Sequence, residues 1–423
     1  MSKAAVFSSL PLSEGAATGE TIQPVEFGAS AVMVTFLPGA AIVLHVLFNP
    51  DPENLLMRVS FVMLGLKDHK TGGYDFNLKA ASALEARGHI VDRVHYTTIP
   101  RRFRGGRFAG SFEVLFRAVS FRPDVLVVSR SYTFMIPLRL LLVLWRIPVL
   151  YLVHHMEWRD SPGEPCKLRV AMVKWLVRRG NLIWCNSRAT FLGLLEMGME
   201  PERLRVIPPG FTPFEVKRTT RREKPLVVCV GALTERKGQE TILRACSLLG
   251  EIGYEMVLAG SHDEEPEYAE RVRGMASSPE LSGVVTLSGH LDKPGLYRLL
   301  GEADIMVHGA PWEAYGIALA EGMWAGLPVV ASRGGAVPEL LTHGVEGFLY
   351  EPGDAADLAE RLSLLLENRD LRDSMGIAAR ARAEGFHTWE KTCEEFANLV
   401  EETACGQVRR NMPRGPGVPA KNR

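Results

Sequence analysis

Cysteine is scarce, and the six present (Cys166, Cys185, Cys229, Cys246, Cys393 and Cys405) show no CxxC or other metal-like spacing. That scatter excludes a disulfide framework and a thiolate zinc site, and reads as free thiols in a reducing, cytoplasmic compartment. Cys185 and Cys229 lie in apolar runs, where a thiol is a small packing group. Charge of one sign is also missing, since 49 Lys+Arg balance 49 Asp+Glu. A balanced chain offers no overall electrostatic reason to bind nucleic acid, so any basic surface must be local. No DxD-like carboxylate pair marks a metal site, and Asp263 in the loop SHDEE lacks such spacing. No repeat at solenoid period is present.

An uninterrupted apolar run long enough for a membrane is absent too. Ala31 to Phe48 approaches that length, but Pro38 and His45 interrupt it and no basic residue flanks it closely. Gly, Ser, Ala and Pro dominate before Ser30, and Met57 opens MRVSFVMLGL, which reads as a first strand. Residues 1–56 are therefore expected to be a disordered extension or the product of a misplaced translation start, with a membrane span as the alternative. Residues 405–423 carry Arg409, Arg410, Arg414, Lys421 and Arg423 among Gly and Pro, and read as a disordered basic tail.

The 423 residues, 46% hydrophobic and 23% charged, suffice for two ordinary globular domains. Short apolar runs such as RVSFVMLG, PDVLVVS, PVLYLVHH and NLIWCNS alternate with amphipathic helical stretches, the mark of a parallel sheet built from βα units. Gly88 closes the first helix. The charged stretch GFTPFEVKRTTRREKP breaks the pattern near residues 210–225, and PLVVCVGAL then starts a second series. The expected division is a first Rossmann-like lobe at 57–217, a second at 218–388, and a helix at 389–404 packing back on the first. Such doubly wound α/β lobes place ligands at the carboxyl ends of their strands.

The sharpest motif is Glu313-Ala-Tyr-Gly-Ile-Ala-Leu-Ala-Glu321, following the strand ADIMVHG. Glu313 falls in the strand-to-helix loop and Glu321 on the helix, so that both carboxylates can serve one ligand's hydroxyls. The amides of Tyr315, Gly316, Ile317 and Ala318 at the helix start, with the positive end of its dipole, suit a phosphate. A second loop, Gly231-Ala-Leu-Thr-Glu-Arg-Lys-Gly238, puts Lys237 beyond a strand end, where a cation offsets charge developing on a leaving diphosphate. Thr71-Gly72-Gly73 provides small residues that admit substrate close to the backbone. His154, His155 and Glu157 follow the strand PVLYLV. Gly334 and Gly335 allow another close backbone approach, while Glu339 either caps the next helix or touches ligand.

The segment from His308 to Asp354 resembles the Glu-x7-Glu block of retaining GT-B glycosyltransferases, in particular family 4 (glycosyl transferases group 1), and the resemblance extends over residues 57–402. It implies an α/β fold of two Rossmann-like lobes facing across a cleft. It further implies that Glu313 approaches the donor sugar hydroxyls, Glu321 binds the nucleotide ribose, Lys237 holds the diphosphate, and His154 meets the sugar near C6. Gly72, Gly73, Gly231, Arg236 and the amides of residues 315–318 complete the expected donor site. Ala232 departs from the pattern, since many relatives have arginine there, and Arg236 is the candidate for the second charge. No carboxylate stands out as a nucleophile, so the resemblance favours a metal-independent front-face reaction in which the leaving phosphate helps deprotonate the acceptor. The co-substrate is a UDP- or GDP-linked sugar; no other cofactor is expected.

For the acceptor there is an electrostatic hint. Arg101, Arg102, Arg104 and Arg107 form a basic loop, and Lys167, Arg169, Lys174, Arg178 and Arg179 punctuate an apolar helix with Trp175. This mixture suits peripheral contact with an anionic membrane on its inner face, hence a lipid-linked or cell-envelope glycan acceptor. The competing readings are a silent nucleotide-sugar-binding subunit and a nucleotide-sugar epimerase on the same fold.

Overall fold

Strands that read as unbroken apolar runs are those that a parallel sheet buries on both faces. The computed structural model of the chain describes residues 56–64, 72–96, 120–129, 147–156, 181–217, 222–250 and 252–411, with the backbone of three short strands before residue 49. Thr71, Glu157, the arginines of residues 101–107 and the basic stretch of residues 167–179 expected to be helical lie outside the described residues.

Residues 1–56 form a unit of their own. In it β1 (Val25–Phe27), β2 (Ser30–Leu37) and β3 (Ala41–Phe48) pair antiparallel, with β2 and β3 in register from Ser30↔Phe48 to Leu37↔Ala41. The apolar run is rich in Val, Leu and Phe, and its break at Pro38 falls between two strands that satisfy each other's backbone. Among the described residues no helix is long and apolar enough to cross a membrane.

The second unit, Met57–Arg423, holds two parallel sheets of six strands. The first lobe comprises β4 (Arg58–Leu64), α1 (Gly72–Ala86), β5 (Ile90–Tyr96), β6 (Val125–Ser129), β7 (Val149–Val153), β8 (Leu182–Cys185), α2 (Arg188–Glu196) and β9 (Leu204–Val206). Its strand order is β5-β4-β6-β7-β8-β9, every pairing parallel. All five residues of β6 and of β7 are buried, as their composition requires. Gly88 ends α1 at φ 90°, and the His89 N–H returns to the Leu84 carbonyl, the left-handed cap expected of it.

The second lobe comprises β10 (Leu226–Val230), α3 (Gln239–Leu248), β11 (Glu255–Ala259), α4 (Pro266–Ala276), β12 (Val285–Gly289), α5 (Lys293–Glu302), β13 (Ile305–His308), α6 (Ile317–Trp324), β14 (Val329–Ser332), α7 (Val337–Leu340), β15 (Gly347–Tyr350), α8 (Ala355–Glu367) and α9 (Arg369–Ala383). Its order is β12-β11-β10-β13-β14-β15, and β10 feeds both faces: Val227 and Cys229 enter one apolar core, Leu226 and Val228 the other. Burial pushes the Cys229 thiol up to about 12, consistent with an inert packing group. The strand order reverses direction between β10 and β13. An open α/β sheet leaves its ligand crevice at such a point, outside the strand carboxyl ends.

The last helix, α10 (Trp389–Asn411), lies on the first lobe and runs seven residues into the stretch expected as a tail. Phe396 is fully buried between Phe61, ring centroids 6.2 Å apart, and Phe76, at 5.4 Å. Arg87 donates to Asn398 at 2.7 Å and Glu401 at 3.0 Å, and Thr392 donates to the Pro208 carbonyl at 2.8 Å. Because Phe396 supports Phe76, Phe396→Ala is expected to lower stability by about 3–5 kcal/mol, read from the urea unfolding midpoint at constant m-value.

Candidate active site

The crevice of the second lobe is built by the two loops that leave β10 and β13. The first turns through Glu235–Lys237 and stops at Gly238, which adopts φ 64°. A Cβ on Gly238 would overlap the Gly309 carbonyl, and one on Gly309 would overlap the Gly238 carbonyl. Only glycine at both positions lets the loops touch backbone to backbone, and this contact brings Lys237 to Glu313.

Lys237 Nζ lies 2.6 Å from Glu313 Oε2, and the His308 Nε2 reaches the same oxygen at 3.0 Å. Glu313 is only 4% exposed. Burial opposes its ionisation, yet the Lys237 charge and the His308 hydrogen bond hold its carboxyl well below the usual carboxylate range. Burial moves His308 the other way for a base, below its ordinary 6.5, against the pull of Glu313. The consistent arrangement is a neutral imidazole donating Nε2–H to an ionised carboxylate, with the ammonium as counter-charge. Arg236 adds a further positive field on both groups. Gly231 lies against the lysine stem: a Cβ there would sit 3.6 Å from Lys237 Cδ.

The second carboxylate of the motif, Glu321, is equally buried on α6 but pairs with a different cation, Lys293 at the start of α5. Partial burial works against the Lys293 charge, but Glu321 outweighs it and raises the ammonium above its ordinary value. Gly316 precedes α6 at φ 100°, and no side chain caps the helix, so the amides from Tyr315 to Ala318 begin a helix whose N-terminus no side chain closes.

The first lobe faces this point. A Cβ on Gly72 would lie 3.3 Å from Ile317 Cδ1, so the starts of α1 and α6 meet across the cleft. Gly73 lies beside His154, 3.6 Å from its ring on the same measure. His154 Nε2 pairs with Asn77 Oδ1 at 3.1 Å, while Asn77 Nδ2 donates to Ser129 at 2.7 Å. With the amide spent on Ser129, its oxygen takes the proton on Nε2 and the Nδ1 edge lies on the Gly73 side. Phe76 and Trp184 fix the ring from two sides, at 5.3 and 5.0 Å.

The structure thus gathers Gly72, Gly73, His154, Gly231, Arg236, Lys237, Glu313, Tyr315, Gly316, Ile317, Ala318 and Glu321 around the facing strand ends of the two lobes. Gly334 and Gly335 do allow a close backbone approach, that of the chain's own loop: side chains there would overlap the Pro311 and Glu313 carbonyls. Asp263 is exposed and pairs with His262 at 3.8 Å. Three partners escaped sequence reading: His308, Lys293 and Asn77. His308 was within the quoted strand ADIMVHG, one residue from the loop, whereas nothing in spacing links Lys293 to Glu321 or Asn77 to His154.

Two parallel Rossmann-like lobes with a cationic, carboxylate-bearing crevice define a GT-B enzyme scaffold. Residues 71–210 match the family of the glycosyl transferase 4-like domain and residues 212–382 that of glycosyl transferases group 1, and the chain belongs to this group 1 glycosyltransferase family. It is 30% identical to the amylovoran biosynthesis glycosyltransferase AmsK of Erwinia amylovora over 54% of this chain and 58% of that protein. It is 27% identical to a D-inositol 3-phosphate glycosyltransferase of Corynebacterium jeikeium, covering 61% of this chain and 68% of that one. The fold is shared with Anabaena Alr3699/HepE solved with UDP-glucose, at TM-score 0.68 and 20% identity over 82% of this chain and 100% of that one.

The buried pair of His308 and Glu313 sets a sign for pH. The unfolded state protonates His308 below 6.5 while the folded state keeps it neutral, so stability falls as pH drops through 6.5. Glu313 adds stability above its ordinary 4.5 that is lost only at lower pH, as its depressed folded value is reached. His308→Gln is expected to flatten the decline of the unfolding midpoint between about pH 6.5 and 5, measured by thermal scans across that range.

Proposed function

We propose that the protein is a retaining glycosyltransferase that moves a hexose-type sugar from a UDP- or GDP-linked donor to a glycan or lipid-linked acceptor, without a metal. The observation that carries this reading is the Lys237–Glu313–His308 cluster at the reversal point of the second sheet. Its cation is placed to exchange one anion for another. When a diphosphate arrives, the Lys237 ammonium turns to it, and Arg236 and the α6 amides share the charge that grows as the glycosidic bond breaks. His308 keeps Glu313 anchored through that exchange, so the carboxylate is left to accept the donor sugar hydroxyls. Glu321 releases Lys293, an exposed side chain, and takes the ribose hydroxyls.

Across the cleft, His154 is held at the sugar side. A front-face course fits these residues: the C1–O bond to phosphate breaks, the departing phosphate oxygen takes the acceptor proton, and the acceptor oxygen joins C1 on the same face. Relatives named for amylovoran biosynthesis and for D-inositol 3-phosphate, and a neighbour solved with UDP-glucose, support nucleotide-sugar transfer. The basic residues of the first lobe support an acceptor met at the inner face of the membrane in cell-envelope glycan synthesis, with the enzyme otherwise cytoplasmic.

Thermal-shift titration of the full chain with UDP- and GDP-sugars tests the donor site, because a ligand of the folded state alone raises the midpoint. One nucleotide series is expected to raise it, and Glu321→Ala to abolish the rise; no shift with either series would overturn the reading. In a donor-hydrolysis assay Lys237→Ala is expected to lower turnover by on the order of two to three powers of ten. Unchanged turnover in that variant would remove Lys237 from the reaction.

A further inference from the structure

The Glu339 side chain bonds to the opposite lobe. It lies on α7, directly after the Gly334-Gly335 pair, and its carboxylate reaches the first lobe: Oε2 accepts the Arg188 N–H at 2.9 Å and Oε1 the Ala189 N–H at 2.7 Å. These are the first two residues of α2, whose N-cap Ser187 spends its side chain on the Thr190 N–H. The opening turn of a helix has amide donors that the helix itself leaves unused, and its dipole favours an anion. A carboxylate from the other lobe satisfies both through two charge-assisted hydrogen bonds.

Each end of this contact continues into the site. On the first lobe, Asn186 Nδ2 donates to the His154 carbonyl at 2.9 Å, one residue before the cap. On the second, the Gly334 carbonyl accepts the Glu313 N–H at 3.4 Å and the Ala336 N–H donates to the Glu313 carbonyl at 2.8 Å. Arg382 Nη2 fixes the Glu339 carbonyl itself at 3.2 Å. A short run of hydrogen bonds therefore joins the backbone of His154 to that of Glu313, and the Glu339 carboxylate is its crossing between lobes.

We infer that Glu339 is a positioning residue: it latches the two lobes together and thereby sets His154 against Glu313 for transfer. The turnover readout of this role rests on the transferase reading, while the geometry of the latch does not. The lobes separate more freely when the carboxylate is gone, the donor still binds the second lobe, and the productive alignment is reached less often.

Two substitutions break the contact from opposite sides. Glu339→Gln replaces one acceptor oxygen with an NH2 that faces a donor. Arg188→Pro deletes one amide hydrogen at the helix position that tolerates proline, after Ser187 at φ −159° and ψ 165°, a conformation compatible with a following proline. Arg188→Ala removes only the side chain and is the control.

Spin labels at Leu192→Cys and Ile377→Cys, exposed positions on the two lobes, report the inter-lobe distance in the full chain with Cys166, Cys393 and Cys405 replaced by serine. Glu339→Gln and Arg188→Pro, and not Arg188→Ala, are expected to lengthen and broaden that distance. They are also expected to lower kcat by about tenfold while donor affinity stays within about twofold, the pattern of a shifted closed population. Unchanged distances and kcat in both variants would overturn the latch. So would losses that Arg188→Ala reproduces, or that track a fall in melting temperature. A distance change in a chain that transfers no sugar from either nucleotide series would leave the latch standing and remove the transferase reading.

Discussion

A carboxylate removed from water stays ionised only if the protein supplies what the water did, and the arrangement of this site follows from that requirement at Glu313. The Lys237 ammonium supplies the counter-charge and His308 a hydrogen bond. Leaving such a charge without its partner costs several kcal/mol, about 3–5 in measured cases. The requirement reaches back into the backbone. Lys237 arrives only because the loops after β10 and β13 are in contact, and they touch only because Gly238 and Gly309 present no side chain to each other. Those loops are neighbours in turn because the strand order reverses between β10 and β13.

The two carboxylates of the Glu-x7-Glu motif solve the same problem differently. Glu313 is held by a mostly buried lysine and a buried histidine, so its position is fixed from two directions. Glu321 is held by Lys293, whose side chain is 56% exposed and free to return to water. The first arrangement suits a group that must keep its place while charge moves nearby; the second suits one that exchanges a cation for ligand hydroxyls. The first lobe repeats the logic without charge, through the Ser129–Asn77–His154 chain packed between Phe76 and Trp184.

Cohesion between the lobes also comes from paired polar groups. Trp324 Nε1 donates to the Phe214 carbonyl at 2.9 Å, tying the connecting segment to α6. Gly210 lies so close to Thr388 that only glycine fits, and the Phe211 N–H donates to the His387 carbonyl at 3.1 Å. The crossing to the second lobe and the return of α10 therefore run side by side, where a few contacts govern how the lobes move relative to each other.

Local pattern was enough to specify the parallel sheets, because strands buried on both faces must be apolar throughout: VLVVS, VLYLV and LVVCV announce themselves. The proximity of Lys237 and Glu313 was legible for a related reason, since each lies just beyond the end of an apolar strand that the sequence marks. The strands within residues 25–48 were hidden in a composition that also suits a loose or membrane-bound segment, and only their backbone pairing reveals them. Partners distant along the chain were beyond local reading. Lys293 stands 28 residues before Glu321, Asn77 stands 77 before His154, and the amides that Glu339 caps lie about 150 residues away, on the other lobe. Side-chain type and spacing announce which groups need a partner; only the folding of two sheets toward each other decides which partner comes within hydrogen-bonding distance.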